Sequence, residues 1–275
     1  MRTIIFGCGP AGLMAAAGAV HAGSDILIIS KRRKSELFGA QYLHEPIAHY
    51  TNAADVTHVR YLLEGNIVDY RNKVYGRSWG GSVSPEDLEQ NHDAWDIRST
   101  YDRLWDDFNQ HVMHVDDLTP WVVEDIMCDH PDALFINSVP RQVLCAEGHT
   151  FKATQIWAAG DAPSRGIRLQ YNCPESTVLC NGYSEVSWYR ISNIFDHKTV
   201  EWSSHTLRGA PPVTTAAEVI KPLEHNCSCF PTITHVGRYG RWEKGVLSHT
   251  AYADAGAAVD RARAFGVQST LPGVS

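Results

Sequence analysis

The chain has no apolar run long enough to span a bilayer. It also lacks a basic amino-terminal region followed by a cleavage site. A cytoplasmic protein without a membrane partner is therefore expected. Positive charge is in deficit: 24 Lys and Arg stand against 31 Asp and Glu, for a net charge of −7. That balance argues against a general nucleic-acid-binding surface. No G-x-S-x-G, H-E-x-x-H or G-x-x-x-x-G-K-[ST] pattern occurs, which removes the simplest hydrolase, metalloprotease and P-loop readings. The seven cysteines are odd in number and scattered, so they do not form a disulfide framework. No internal repeat or low-complexity segment is present. What remains is a chain of 275 residues, 44% hydrophobic and 20% charged. That is enough to bury a core in one or two domains.

The most informative stretch is the first. Arg2–Phe6 is a short apolar strand that runs directly into Gly7-Cys8-Gly9-Pro10-Ala11-Gly12, and an alanine-rich helix pattern follows. G-x-G-x-x-G between a buried strand and a helix start is the dinucleotide-binding fingerprint. Gly7 makes the tight turn, Gly9 lets a pyrophosphate approach, and Gly12 lets helix and sheet pack closely. Unpaired N–H groups at the helix start complete the anion site. A second strand, Asp25–Ile29, ends at Ser30-Lys31-Arg32-Arg33-Lys34, where the fingerprint ordinarily carries an acid. Three readings stand there. Arg32 and Arg33 hold the 2′-phosphate of NADP, or Ser30 and Lys31 bind the ribose of FAD, or the turn is simply solvated. The loop that follows carries Gln41, Tyr42 and His44 and is placed to reach a cofactor.

Farther along, 51–130 reads as a helical insertion. Within it 61–75 looks strand-like, Ser84-Pro85 looks like a helix start, and 95–112 has helical spacing on one face. Residues 132–138 and 151–157 read as strands. Residues 166–230 read as an antiparallel β region, with a hairpin signal at Asn181-Gly182. A strand at 232–236 precedes Gly237-Arg238-Tyr239-Gly240 and a helix at 247–265, and 266–275 reads as a frayed tail. The fold class expected is α/β: a Rossmann-like parallel sheet (1–50, 131–165, 231–265), a helical insertion and an antiparallel substrate region.

Three elements carry a resemblance to flavoproteins of the glutathione-reductase fold, and more narrowly to the UDP-galactopyranose mutase and amine-oxidase branch. They are Gly7–Gly12, Ile156-Trp157-Ala158-Ala159-Gly160-Asp161, and Gly237–Gly240 with Lys244–Leu247. The chain also resembles small flavoprotein-like proteins encoded by actinobacterial phages, which implies a host cytoplasm. The resemblance implies FAD as cofactor. It implies that Val139, Gly160, Asp161 and Gly237 lie near it, that Arg238 lies beside the flavin, and that Val246, Leu247 and Ser248 present a helix N-terminus. It departs from the family at Ser30, in its shortness and in having no second G-x-G-x-x-G.

Candidates for chemistry follow. Arg238 and Lys244 can stabilise a reduced, anionic ring electrostatically, or be plain surface charges. His44 and His249 can move protons near neutral pH, or be structural. Trp95 and Tyr101 can stack on a planar substrate, with Asp96 alongside and Arg98 binding its carboxylate or phosphate, or they can pack in the core. By analogy to the family's layout, Asn181, Tyr189, Glu201 and Trp202 form a second wall. His225-Asn226-Cys227-Ser228-Cys229 offers only two thiols at C-x-C spacing with no second pair at suitable spacing, so no metal is expected. The leading expectation is an FAD-dependent oxidoreductase acting on a small molecule. A flavin-dependent mutase acting on a sugar nucleotide, and a non-catalytic NADP-binding module, are the alternatives.

Overall fold

The structure, a computed structural model, describes residues 1–31, 33–34, 36–39, 41–161, 169–207 and 211–265. In chain order the elements are β1 (Arg2–Phe6), α1 (Pro10–His21), β2 (Asp25–Ser30), β3 (Thr57–Gly65), α2 (Ile67–Tyr75), β4 (Asn91–Ala94), α3 (Ile97–Phe108), β5 (Val112–His114) and α4 (Pro120–Asp129). There follow β6 (Leu134–Asn137), β7 (Phe151–Gly160), β8 (Thr177–Gly182), β9 (Trp188–Ile194), β10 (His197–Ser203), β11 (Ala217–His225), β12 (Thr234–His235), α5 (Gly237–Arg241) and α6 (Thr250–Phe265).

The strands sort into two sheets. A five-stranded sheet has the order β12-β6-β1-β2-β5 with every pairing parallel. Its centre is β1, whose residues Ile4, Ile5 and Phe6 are inaccessible to solvent. Continuous apolar runs suit a parallel sheet covered on both faces. One face packs on α1, α3 and α6 through Ile5, Leu13, Met14, Leu104, Ala251 and Ala255. The other packs on α4 through Ile4, Phe6, Val123 and Phe135. The seven-stranded sheet has the order β11-β7-β10-β9-β8-β3-β4 and is antiparallel except for β3 against β8. This is the expected α/β class, a parallel Rossmann-like sheet beside an antiparallel region.

Several local expectations change. The segment 51–130 does not stand apart as a helical insertion: β3 and β4 join the seven-stranded sheet and β5 joins the parallel one. Residues 61–75 are not one strand. β3 stops at Gly65, and the Asn66 side chain accepts from Val68 N and Asp69 N, starting α2. Ser84-Pro85 opens only a single 3-10 turn over Glu86–Leu88. Asn181-Gly182 ends β8 rather than forming the turn that leads to β9. The tail 266–275 lies outside the described residues.

Candidate functional site

The parallel sheet builds the first half of the site. Gly7 has φ +100°, a value that favours glycine. A Cβ on Gly12 would stand 2.0 Å from the Gly7 carbonyl oxygen, so α1 crosses the turn in close contact. Gly9 is different. It caps α1 with φ −69° and ψ 176°, no side chain caps the helix, and a Cβ there would meet nothing within 4 Å. Pro10 opens the helix with its φ already set. Leu13 N donates to Gly9 O at 3.0 Å as the first helical bond, which leaves the Ala11 and Gly12 N–H groups outside the helical ladder. A helix end with unpaired donors and open space above it is an anion site.

Ser30 is buried at the end of β2, where its Oγ accepts from Cys8 Sγ at 3.3 Å. Lys31 is exposed and paired with Asp117 at 3.0 Å. Arg32 lies outside the described residues, and Arg33 is exposed. Gln41 Nε2 donates to Phe38 O at 2.7 Å, and Tyr42 is buried.

The last strand of the parallel sheet returns the chain to the same turn. A Cβ on Gly237 would lie 2.5 Å from Ala11 Cβ, so the β12–α5 junction rests on the start of α1. Val139 also reaches it: its Cγ1 would be 2.8 Å from a Cβ on Gly7. Arg238 follows directly, and its Nε is buried without a hydrogen-bond partner among the described residues. Lys244 Nζ stands over the rings of Tyr75 and Trp79, at 4.7 and 4.5 Å from their centroids. Two placements differ from expectation. α6 begins at Thr250, so Val246, Leu247 and Ser248 are in the loop before it. Gly160 ends β7 in the seven-stranded sheet, paired with Thr199, and Asp161 follows it, so neither ends a parallel strand. Asp161 there accepts from Leu169 N.

A line of rings continues from the loop after β2. His44 lies 4.5 Å from Tyr42, 5.2 Å from His92 and 6.0 Å from His249, centroid to centroid. Burial, with His92 and His249 adding to it, pushes the His44 imidazole down to about 4. His249 is buried as well, its Nδ1 is unpartnered among the described residues, and burial lowers its pKa. Tyr42 Oη donates to Tyr61 Oη at 3.4 Å, and burial pushes both phenols up.

The seven-stranded sheet contributes a buried ionic cluster of which the sequence offered Tyr189 and Glu201 by analogy, and Arg190 and Lys221 not at all. Glu201 of β10 is 1% exposed and sits opposite Arg190 of β9. Its Oε1 accepts from Arg190 Nε at 2.8 Å, and its Oε2 accepts from Lys221 Nζ at 2.7 Å and from Tyr189 Oη. Burial works against the carboxylate charge, but the two cations outweigh it and hold the group well below the usual range. Two cations share one anion here. Arg190 keeps its proton, so burial and the Arg190 charge together press the Lys221 ammonium down. The Arg238 charge also presses Lys221 down, while burial lowers the pKa of Arg238 itself against the opposing effect of Tyr75 and Tyr189. A Cβ on Gly39, in the loop after β2, would lie 3.0 Å from Glu201 Oε1, so this loop lies directly on the cluster.

The proposed substrate residues divide. Trp95 is buried, held by paired backbone bonds to Leu43, and Asp96 caps α3 by accepting from Arg98 N at 2.8 Å and Ser99 N at 3.3 Å. Both line an open depression of about 330 Å³ with Tyr50, Asp55 and Arg103. None of the glycine-turn residues lines it. Arg98 Nη2 donates to Gly39 O at 3.4 Å, toward the loop on Glu201. Tyr101 is 1% exposed, and its hydroxyl donates to Cys8 O at 2.9 Å, steadying the glycine turn from behind. Asn181 is buried and takes Lys73 Nζ at 3.0 Å. Trp202 is fully buried among Ile191, Val200 and Tyr171. Asn181 and Trp202 are thus packed inside rather than presented on a wall.

No protein-family model matches the chain, and no curated protein does. Solved structures do. BrvH, a flavin-dependent halogenase from Brevundimonas sp. BAL3, is similar with a TM-score of 0.50 at 10% identity, over 96% of this chain and 71% of that one. CmlS, a flavin-dependent halogenase, is similar with a TM-score of 0.54 at 12% identity, over 98% of this chain and 59% of that one. At such identities the likeness is one of fold. The helices among the described residues include none long and apolar enough to cross a membrane.

Proposed function

We propose that this chain is an FAD-dependent oxidoreductase acting on a small molecule. The observation that carries the reading is the meeting of two junctions. The Gly9 turn leaves open space at an uncapped helix start. Gly237 rests on that same start and carries Arg238, with its buried and unpartnered Nε, beside it. A phosphate-accepting turn and an unsatisfied cation on one sheet end fit an adenine dinucleotide that extends to a flavin. The fold shared with two flavin-dependent halogenases supports the same choice. Ser30 in place of an acid is compatible, because its hydroxyl can bond a ribose while its own burial is satisfied by Cys8.

In this reading the parallel sheet holds the dinucleotide and the seven-stranded sheet faces the substrate. Flavin, when bound, supplies hydride or electron transfer. The chain's residues do the rest. The Ala11 and Gly12 N–H groups bind phosphate oxygens. Arg238 provides the positive charge that favours negative charge near the ring. Burial keeps the His249 and His44 imidazoles neutral at neutral pH, so they offer hydrogen bonds to a ligand rather than a strong base, His44 least of all with its pKa pushed down to about 4. Glu201 fixes Arg190, Lys221 and Tyr189 in one arrangement.

The test is direct. The purified chain, titrated with FAD, should show flavin absorbance that co-elutes with the protein and NAD(P)H oxidation in the presence of an acceptor. Activity that needs only catalytic pre-reduction, without net NAD(P)H oxidation, would replace this reading with the mutase. Binding of NADP without flavin would replace it with the nucleotide-binding module. Arg33 is exposed and available for a 2′-phosphate in that case.

A further inference from the structure

β7 and β11 are paired antiparallel, with Phe151 opposite His225. That register brings the loop before β7 against the loop after β11, and the two are laced by Thr150 N to Asn226 Oδ1 at 2.7 Å and Asn226 N to Thr150 O at 3.3 Å. Four ligand-type side chains meet there: Cys145 and His149 from the first loop, Cys227 and Cys229 from the second. The sequence offers the C-x-C pair no second pair at suitable spacing, but the fold brings one to it. The missing pair lies 80 residues upstream in sequence, counted from Cys229 to His149, and is delivered by strand pairing.

We propose that Cys145, His149, Cys227 and Cys229 form a structural zinc site. The sulfur and nitrogen atoms all lie within 4.8 Å of one another. His149 Nδ1 is 3.3 Å from Cys145 Sγ and 3.7 Å from Cys229 Sγ. Tetrahedral zinc, with bonds of about 2.3 Å to sulfur and about 2.0 Å to nitrogen, sets ligand separations of roughly 3.5–3.8 Å. The imidazole is also turned correctly. Nδ1 faces the thiols, and Nε2 lies 3.2 Å from Glu147 Oε2, the carboxylate–histidine arrangement that orients metal-bound imidazoles. Arg141 Nη2 donates to Cys227 O at 3.2 Å and steadies the second loop. Three sulfurs and one imidazole select a thiophilic tetrahedral cation over magnesium or calcium. Four protein ligands complete the coordination of zinc, so the site is structural and leaves no position for substrate.

Binding is an exchange of charge without redox. Zinc displaces the three thiol protons, forms three Zn–S bonds and one Zn–N bond, and leaves the centre with one net negative charge. The consequence is mechanical. The second loop runs on into β12 and Gly237, so the metal ties the end of β7–β11 to the strand that leads into α5 and Arg238.

The experiment uses the whole chain, purified under reducing conditions and dialysed, with metal measured by plasma mass spectrometry. About one zinc per chain is expected. Cys145→Ser and Cys227→Ser should each lose most of it, His149→Cys should keep it as a four-thiolate site, and Cys128→Ser, an exposed thiol elsewhere, should keep it unchanged. Cobalt exchanged for zinc should give thiolate charge-transfer and tetrahedral d–d absorption. Because the serine variants can fail to fold, the wild type is also alkylated with and without a chelator. Cys145 and Cys229 should react only after chelation, while Cys128 reacts in both. Reduced wild-type chain without zinc, equal alkylation of Cys145 and Cys229 with and without chelator, or a native disulfide among Cys145, Cys227 and Cys229, would overturn the proposal. None of these readouts depends on flavin.

Discussion

Two glycines of one motif do different work, and exchanging each for alanine separates them. At Gly12 the added methyl would stand 2.0 Å from the Gly7 carbonyl oxygen, where ordinary contact begins near 3.4 Å. The start of α1 would have to withdraw by about 1.4 Å across a face that carries Leu13 and Met14 into the core. Overpacking of that kind costs about 3 kcal/mol, which for a domain of this size lowers Tm by roughly 6–12 °C. At Gly9 the methyl meets nothing, and the φ and ψ of −69° and 176° suit any L residue. Loss of unfolded-chain entropy then favours alanine by about 0.5 kcal/mol, while the helix-cap preference opposes it by a similar amount. The apo-protein of Gly9→Ala should melt within about 1 °C of wild type. Its methyl, however, occupies the space through which a pyrophosphate reaches the helix N-terminus. FAD affinity should fall at least about thirtyfold, or roughly 2 kcal/mol. The assays are thermal melting without ligand and flavin titration followed by fluorescence. A Gly9→Ala protein that binds FAD as wild type does would refute the placement of the phosphate. One that melts like Gly12→Ala would refute the division between the two glycines.

Other predictions follow from the same structure. Glu201→Gln strands Arg190 and Lys221 without their anion, and since Glu201 is 1% exposed the loss should be about 3–5 kcal/mol in urea unfolding. Asn66→Ala removes the cap of α2 and should cost about 1 kcal/mol, whereas a continuous strand through 61–75 would leave stability nearly unchanged. His44 has its pKa depressed from 6.5 to about 4, so its neutral form is favoured by folding. The stability it lends is complete above pH 6.5 and is lost as pH falls from there toward 4, because the unfolded chain takes up the proton first. Half-buried and screened, it should account for about 1–2 kcal/mol of that slope, and His44→Gln should flatten the acid limb of a stability–pH curve by that amount. Tyr101→Phe deletes the bond to Cys8 O and should lower stability by about 1–2 kcal/mol, measured by chemical denaturation.

The opening strand, turn and helix were legible because every local signal agrees there: a solid apolar run, glycines at fixed offsets, then small residues at helical spacing. α3 was legible for a related reason, since Tyr101, Leu104 and Phe108 fall on one buried face. The break at Gly65-Asn66 is hidden in the sequence because Ile67, Val68 and Tyr70 sit close enough together to pass for strand alternation, whereas the Asn66 side chain starts a helix there. The Gly160-Asp161 assignment failed for a topological reason. A strand of ten residues ending in small residues and followed by an acid looks the same in a parallel or an antiparallel sheet, and only its partners β10 and β11 decide.

The ionic cluster and the cysteine–histidine cluster share a cause for having been hidden. Arg190, Glu201 and Lys221 lie on three strands whose order in the sheet is not their order in sequence, since β7 stands between β10 and β11. Charged residues on such strands read as solvent-facing until the loop bearing Gly39 is laid over them. Cys145 and His149 are likewise meaningless at i and i+4 alone. They acquire partners only through the Phe151–His225 register, a pairing across more than seventy residues. Both clusters are made by the β7–β11 ribbon: one side of it supplies Lys221 to the charged interior, and its far end gathers the thiols. The ribbon leads by way of Cys229 into β12 and the Gly237–Arg238 junction. A fault at the thiol end should therefore be felt at Arg238 before it is felt at the Gly7–Gly12 turn, which is anchored independently by Tyr101 and Ser138.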